Sequence, residues 1–133
     1  MKIIFNDKEY TINKDNLQDF FNDEINPIED FNDDKALELI EGVNLEFEKS
    51  YYSYPCDCTT EKSKDRTYAF IEAHFYIYTK DRKYVTNSAE LEKTEQSLKA
   101  LENSGKVDAT YIASIIICPK CGEFNVEIEE LEE

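Results

Sequence analysis

A chain of 133 residues, 41% apolar and 34% charged with only three glycines and three prolines, has the composition of a packed globular fold, not of a disordered or fibrous one. Its net charge of −15 argues against direct nucleic-acid binding, which needs clustered lysine and arginine. No stretch approaches the ~20 apolar residues of a membrane span, and MKIIFNDKEY offers three apolar residues before charge returns, far short of a signal-peptide core. The expectation is therefore a cytoplasmic protein without a membrane partner.

Along the chain, KIIF (2–5) and EYTI (9–12) flank the turn-prone Asn6-Asp7-Lys8 and predict an N-terminal hairpin. Asn13 is placed to cap a short helix in which Leu17, Phe20, Phe21 and Ile25 share a face, before Pro27 interrupts. DDKALELIE (33–41) predicts a second helix, with Asp33 and Asp34 favouring the dipole at its start, Ala36, Leu37 and Ile40 as its buried stripe, and Gly42 at its end. Residues 44–54 and 66–79 alternate as strands. The longer one places Ala69, Ile71, Ala73, Phe75 and Ile77 on one side and Tyr68, Phe70, Glu72, His74, Tyr76 and Tyr78 on the other. The compact side is expected to face the helices and be buried. The tyrosine side is expected to be partly accessible or covered by another subunit.

KDRK (80–83) turns the chain into a short YVT strand. Asn87 and Glu90 have capping-box spacing ahead of a surface helix running to about residue 103, with Leu91, Leu98 and Leu101 as a thin stripe and Ser104-Gly105 as its stop. VDATYIASIII (107–117) and FNVEI (124–128) complete the strands. Hairpins and helices without a regular βαβ rhythm predict a single α+β domain over 1–133: a mostly antiparallel sheet, about three helices and a short acidic C-terminal tail. The acid is concentrated at the ends. Residues 1–50 sum to −9 and the last eleven to −6, while the segment between is neutral.

That neutral segment holds all four cysteines, in two tight pairs: Cys56 and Cys58, then Cys118 and Cys121, with 59 residues between the pairs. In an extended segment residues i and i+2 point the same way, so Cys56 and Cys58 can approach one ion, with Pro55 fixing the approach. CPKCG lies between two predicted strands, where a tight turn aims two sulfurs at one point. Pro119 stiffens that turn and Gly122 permits the positive φ that closes it. Disulfides belong to secreted proteins, and a Cys-x-x-Cys redox pair leaves Cys56 and Cys58 unexplained. Four thiolates converging in a tetrahedron suit zinc first, in a closed non-catalytic shell. Iron in the same site is the competitor, ahead of an iron–sulfur cluster.

CPKCGEF resembles the second knuckle of a zinc ribbon or rubredoxin-type site, over seven residues of the chain. That resemblance implies Cys118 and Cys121 as metal ligands. CDC departs from the usual pattern, which has two residues between the cysteines of a knuckle. In length and character the whole chain also resembles uncharacterised small acidic proteins of anaerobic Gram-positive bacteria, a likeness that implies no activity.

His74 is the single histidine, and Glu72 shares its strand side, so an acid–base pair is conceivable. Among Tyr68, Phe70, Tyr76 and Tyr78, a packed or surface histidine is the better reading, and no Gly-rich phosphate loop is present. The sequence therefore favours a binding or regulatory module over an enzyme. A protein partner is expected through the tyrosine-rich face or the acidic ends. Two alternatives stand beside it: an iron-containing electron-transfer protein, and an acidic nucleic-acid mimic that engages a basic protein.

Overall fold

The computed structural model describes residues 2–43, 45–56, 58 and 67–131. Asp57, between the first two cysteines, and the ends of the expected strands at 44 and 66 lie outside the described residues, as do the last two acids at 132 and 133.

The expected hairpin forms from β1 (Lys2–Phe5) and β2 (Lys8–Thr11) as a separate two-stranded sheet. Its turn residues Asn6 and Asp7 both take positive φ, the backbone twist that a two-residue hairpin loop requires and that Asn and Asp tolerate. Asn13 does cap, accepting from the Asn16 N–H, but only a single 3-10 turn over Lys14–Asn16 follows. The helix expected over Leu17, Phe20 and Phe21 is instead β3 (Leu17–Phe21). Helix α1 (Asp33–Glu41) forms as expected, capped by Asn32, with Ala36 and Ile40 buried. Gly42 follows in ordinary right-handed geometry.

The main sheet adds β4 (Glu48–Tyr52), β5 (Tyr68–Lys80), β6 (Lys83–Asn87), β7 (Ala109–Ile117) and β8 (Phe124–Glu130). Its order is β3-β8-β7-β5-β4, with β6 also paired to β5. Among the described strands the pairings are antiparallel except β3 with β8, and a single parallel bridge joins Glu29 to Lys83. The fold is α+β, with three α-helices among the described residues. The acidic end begins inside the sheet: Glu129 and Glu130 belong to β8, the Glu130 N–H donates to Asp23 Oδ2 at 2.8 Å, and the Leu131 N–H donates to the Thr110 carbonyl.

One side of the sheet carries the core. Ile71, Phe75 and Ile77 of β5 join Ile115 and Ile117 of β7 and Phe124, Val126 and Ile128 of β8. Tyr10, Ile12, Ile28, Phe31 and α1 cover them. Ala73 is buried with them, whereas Ala69 at the strand's start is exposed.

The helix expected to run to about 103 is broken in two: α2 (Ser88–Thr94) and α3 (Leu98–Asn103). Glu95 adopts a left-handed conformation, and Ser97 starts the next helix by accepting from the Ala100 N–H. These two helices also correct the expectation that helices lie only on the compact side. Leu91 packs with Tyr78 and Val107, and Leu98 and Leu101 lie against them, so α2 and α3 close one end of the tyrosine side.

Candidate metal centre

The β7–β8 hairpin delivers the first pair of thiols. Its loop is closed by a Gly122 N–H to Cys118 carbonyl bond and a Cys118 N–H to Glu123 carbonyl bond, both 2.9 Å. Gly122 has the positive φ of +78° that this closure needs, a conformation costly for any residue with a Cβ. The segment after β4 delivers the second pair. Edge pairing of β4 with β5, from Glu48 opposite Glu72 to Tyr52 opposite Tyr68, carries the chain to Cys56 beside the hairpin loop.

All four sulfurs lie within 4.8 Å of one another. Cys56 Sγ is 3.7 Å from Cys121 Sγ, and Cys58 Sγ is 3.6 Å from Cys118 Sγ. These separations are far longer than the ~2.05 Å of a disulfide. They are close to the ~3.8 Å edge of a tetrahedron whose centre lies ~2.3 Å from each sulfur. The two pairs are thus interleaved, each sulfur of one meeting a sulfur of the other. Cys56 and Cys118 are buried against Phe70 and Ile116, while Cys58 and Cys121 are exposed.

Burial pushes the Cys56 thiol well above the ordinary cysteine range and raises Cys121 as well. Backbone N–H groups act in the opposite direction: that of Cys58 bonds to the Cys56 sulfur and that of Glu123 to the Cys121 sulfur. Thiols held this way make poor free nucleophiles, because the thiolate is disfavoured. A divalent cation at their centre reverses that balance by displacing the protons.

Two further contacts are invisible in the cysteine spacing. Lys8, at the tip of the N-terminal hairpin, donates to the Pro119 carbonyl at 2.5 Å and pins the knuckle from a distant part of the sequence. Cys56 Sγ lies 3.8 Å from Gln18 Oε1 on β3; with its amide turned by half a rotation, Gln18 offers N–H groups to a thiolate instead. No motif marks either residue.

Residues 1–132 match the family described as "Protein of unknown function (DUF3785)". The chain belongs to the DUF3785 family. No curated protein and no solved structure matches it.

In this DUF3785 chain the tyrosine side of the sheet is open in its middle. His74 and Tyr76 are exposed between the knuckle at one end and α2–α3 at the other. His74 Nδ1 is 2.8 Å from Ser114 Oγ, and its Nε2 is 3.6 Å from Glu72 Oε1, which also accepts from the Tyr52 hydroxyl at 2.5 Å. The Ser–His–Glu alignment has no oxyanion donor in its own serine. Ser114 sits in a central strand paired on both sides, so its backbone N–H is not free for an oxyanion, and Glu127 stands directly opposite. Glu127 is itself raised by burial and by the nearby Glu129 and Glu72. None of the described helices is long and apolar enough to cross a membrane.

Proposed function

We propose that Cys56, Cys58, Cys118 and Cys121 hold one zinc ion, and that the protein is a zinc-stapled binding module of a reducing, cytoplasmic compartment. The observation that carries this reading is the interleaved set of four sulfurs, with cross-pair distances of 3.6 and 3.7 Å suited to a single ion. An iron–sulfur cluster spreads its four thiolates around several irons and suits a set this tight less well. Zinc bound by four thiolates has no open position for substrate, so its role is mechanical. It ties the segment after β4 to the β7–β8 hairpin and fixes the end of the open sheet face. Thiol ligands also need a compartment in which they stay reduced.

Iron in the same cage is the second reading. The exposure of Cys58 and Cys121 favours it, because an electron-transfer centre needs an edge near solvent. Elemental analysis of protein purified without added metal separates the two. One colourless, redox-silent zinc per chain supports the first reading, and a coloured, reducible iron supports the second. Substoichiometric metal of every kind overturns both.

A further inference from the structure

Beside the knuckle, on the open side of the sheet, lies a cleft of about 290 Å³. Its walls and rim include Phe21, Tyr52, Tyr54 and Phe70, and its acidic groups are Asp19, Glu123 and Glu127. None of the described residues lining it is a lysine, arginine or histidine. Phe21 and Tyr54 are 48% and 51% exposed, an unusual state for large rings that line a concave surface. The volume is at the foot of the ~300–1,000 Å³ range of pockets that take whole small molecules. One long side chain suits it better than a nucleotide or a cofactor.

We propose that this cleft receives the guanidinium of an arginine carried by a basic protein segment. Charge complementarity commits it to a cation, because three acidic residues line the space with no positive side chain among its described lining residues. The aromatic walls commit it to arginine. A planar guanidinium stacks on rings while its fork binds a carboxylate, whereas a lysine ammonium is a compact, strongly hydrated point charge. Asn125 in the same lining has an amide oxygen that accepts the Asp19 N–H at 3.1 Å and keeps a second lone pair for a guanidinium N–H. Glu127 is the central acceptor. Its carboxylate is partly buried beside Glu72 and Glu129, and an arriving cation relieves that repulsion. The proposal rests on reading the protein as a binding module and names the chemistry of its partner.

The test is NMR titration of the full-length protein with acetyl-arginine methylamide, alongside the citrulline and lysine analogues. Saturable shifts of the Phe21, Tyr52, Tyr54 and Glu127 amides are expected with arginine, weaker ones with lysine and none with citrulline. Glu127→Gln should weaken arginine binding at least about fivefold, and Tyr54→Ala, on a half-exposed ring that packs against Tyr52, at least about threefold. Equal response to citrulline, or shifts spread over outlying acids such as Asp33 and Asp34 and unchanged in both variants, overturns the proposal. Metal content is measured on the same sample. A zinc-loaded protein that ignores arginine overturns the cleft alone, and a metal-free protein that binds it overturns the zinc alone.

Discussion

Replacing Ala73 with glutamate places a carboxyl on the closed side of the sheet. Ala73 is 1% exposed, pairs with Ile115 of β7, and lies between Ile71 and Phe75 on the same side of β5. Without a partner the new carboxyl keeps its proton. Holding a glutamate of ordinary pKa ~4.3 neutral at pH 7 costs about 3.7 kcal/mol, at ~1.36 kcal/mol per unit. The added bulk costs ~1–3 kcal/mol more, so the loss is a large fraction of the ~7–20 kcal/mol available to a domain of this length. The folded variant binds a proton that the unfolded chain releases above pH ~4.3, so destabilisation is greatest at neutral pH and shrinks by ~1.4 kcal/mol per unit as pH falls towards that value. His74→Gln is the control. That side chain is 44% exposed, and its bond to Ser114 is worth ~0.5–1.5 kcal/mol at most. Urea unfolding of both variants and the parent at pH 5, 6 and 7, followed by circular dichroism, gives the differences. A loss below ~2 kcal/mol for Ala73→Glu, no dependence on pH, or equal damage from His74→Gln refutes the assignment of closed and open faces.

Glu127→Gln should raise the melting temperature at pH 7. Burial and neighbouring acids raise the folded pKa of Glu127, so its charged form opposes folding, and the gain should fade as pH drops through that raised value towards the unfolded one. Cys118→Ser should loosen the junction between residues 55–58 and the 118–122 loop, read as faster amide exchange there, while amides of the apolar core keep their protection. Full unfolding would mean that the metal carries more of the fold than a core of this size implies. Glu95→Gly should stabilise by ~0.5–1 kcal/mol in thermal melts, because glycine takes the left-handed φ of +56° without the clash of a Cβ.

Where pattern and structure diverge, local causes are visible. Leu17 and Phe20 have helical spacing, yet both reach the core from a strand, because the register shifts between Leu17 and Asp19 and a bulge absorbs the odd residue. The strand's partner, β8, lies more than a hundred residues away, and no local signal announces a parallel pairing of that span. The long helix failed for a readable reason: Thr94 and Glu95 leave the stripe empty between Leu91 and Leu98, and Ser97 competes as a cap. The cysteine set was legible because thiols are rare and their spacing is restrictive. Gln18, Lys8 and the cleft were not, since they depend on which polar side chains the sheet order brings beside the knuckle.

X-ray absorption at the zinc edge on protein purified without added metal tests the central claim most directly. One zinc per chain surrounded by four sulfurs at ~2.3 Å is the expected result. An absent zinc edge, nitrogen or oxygen in the first shell, or fewer than four sulfurs would contradict it.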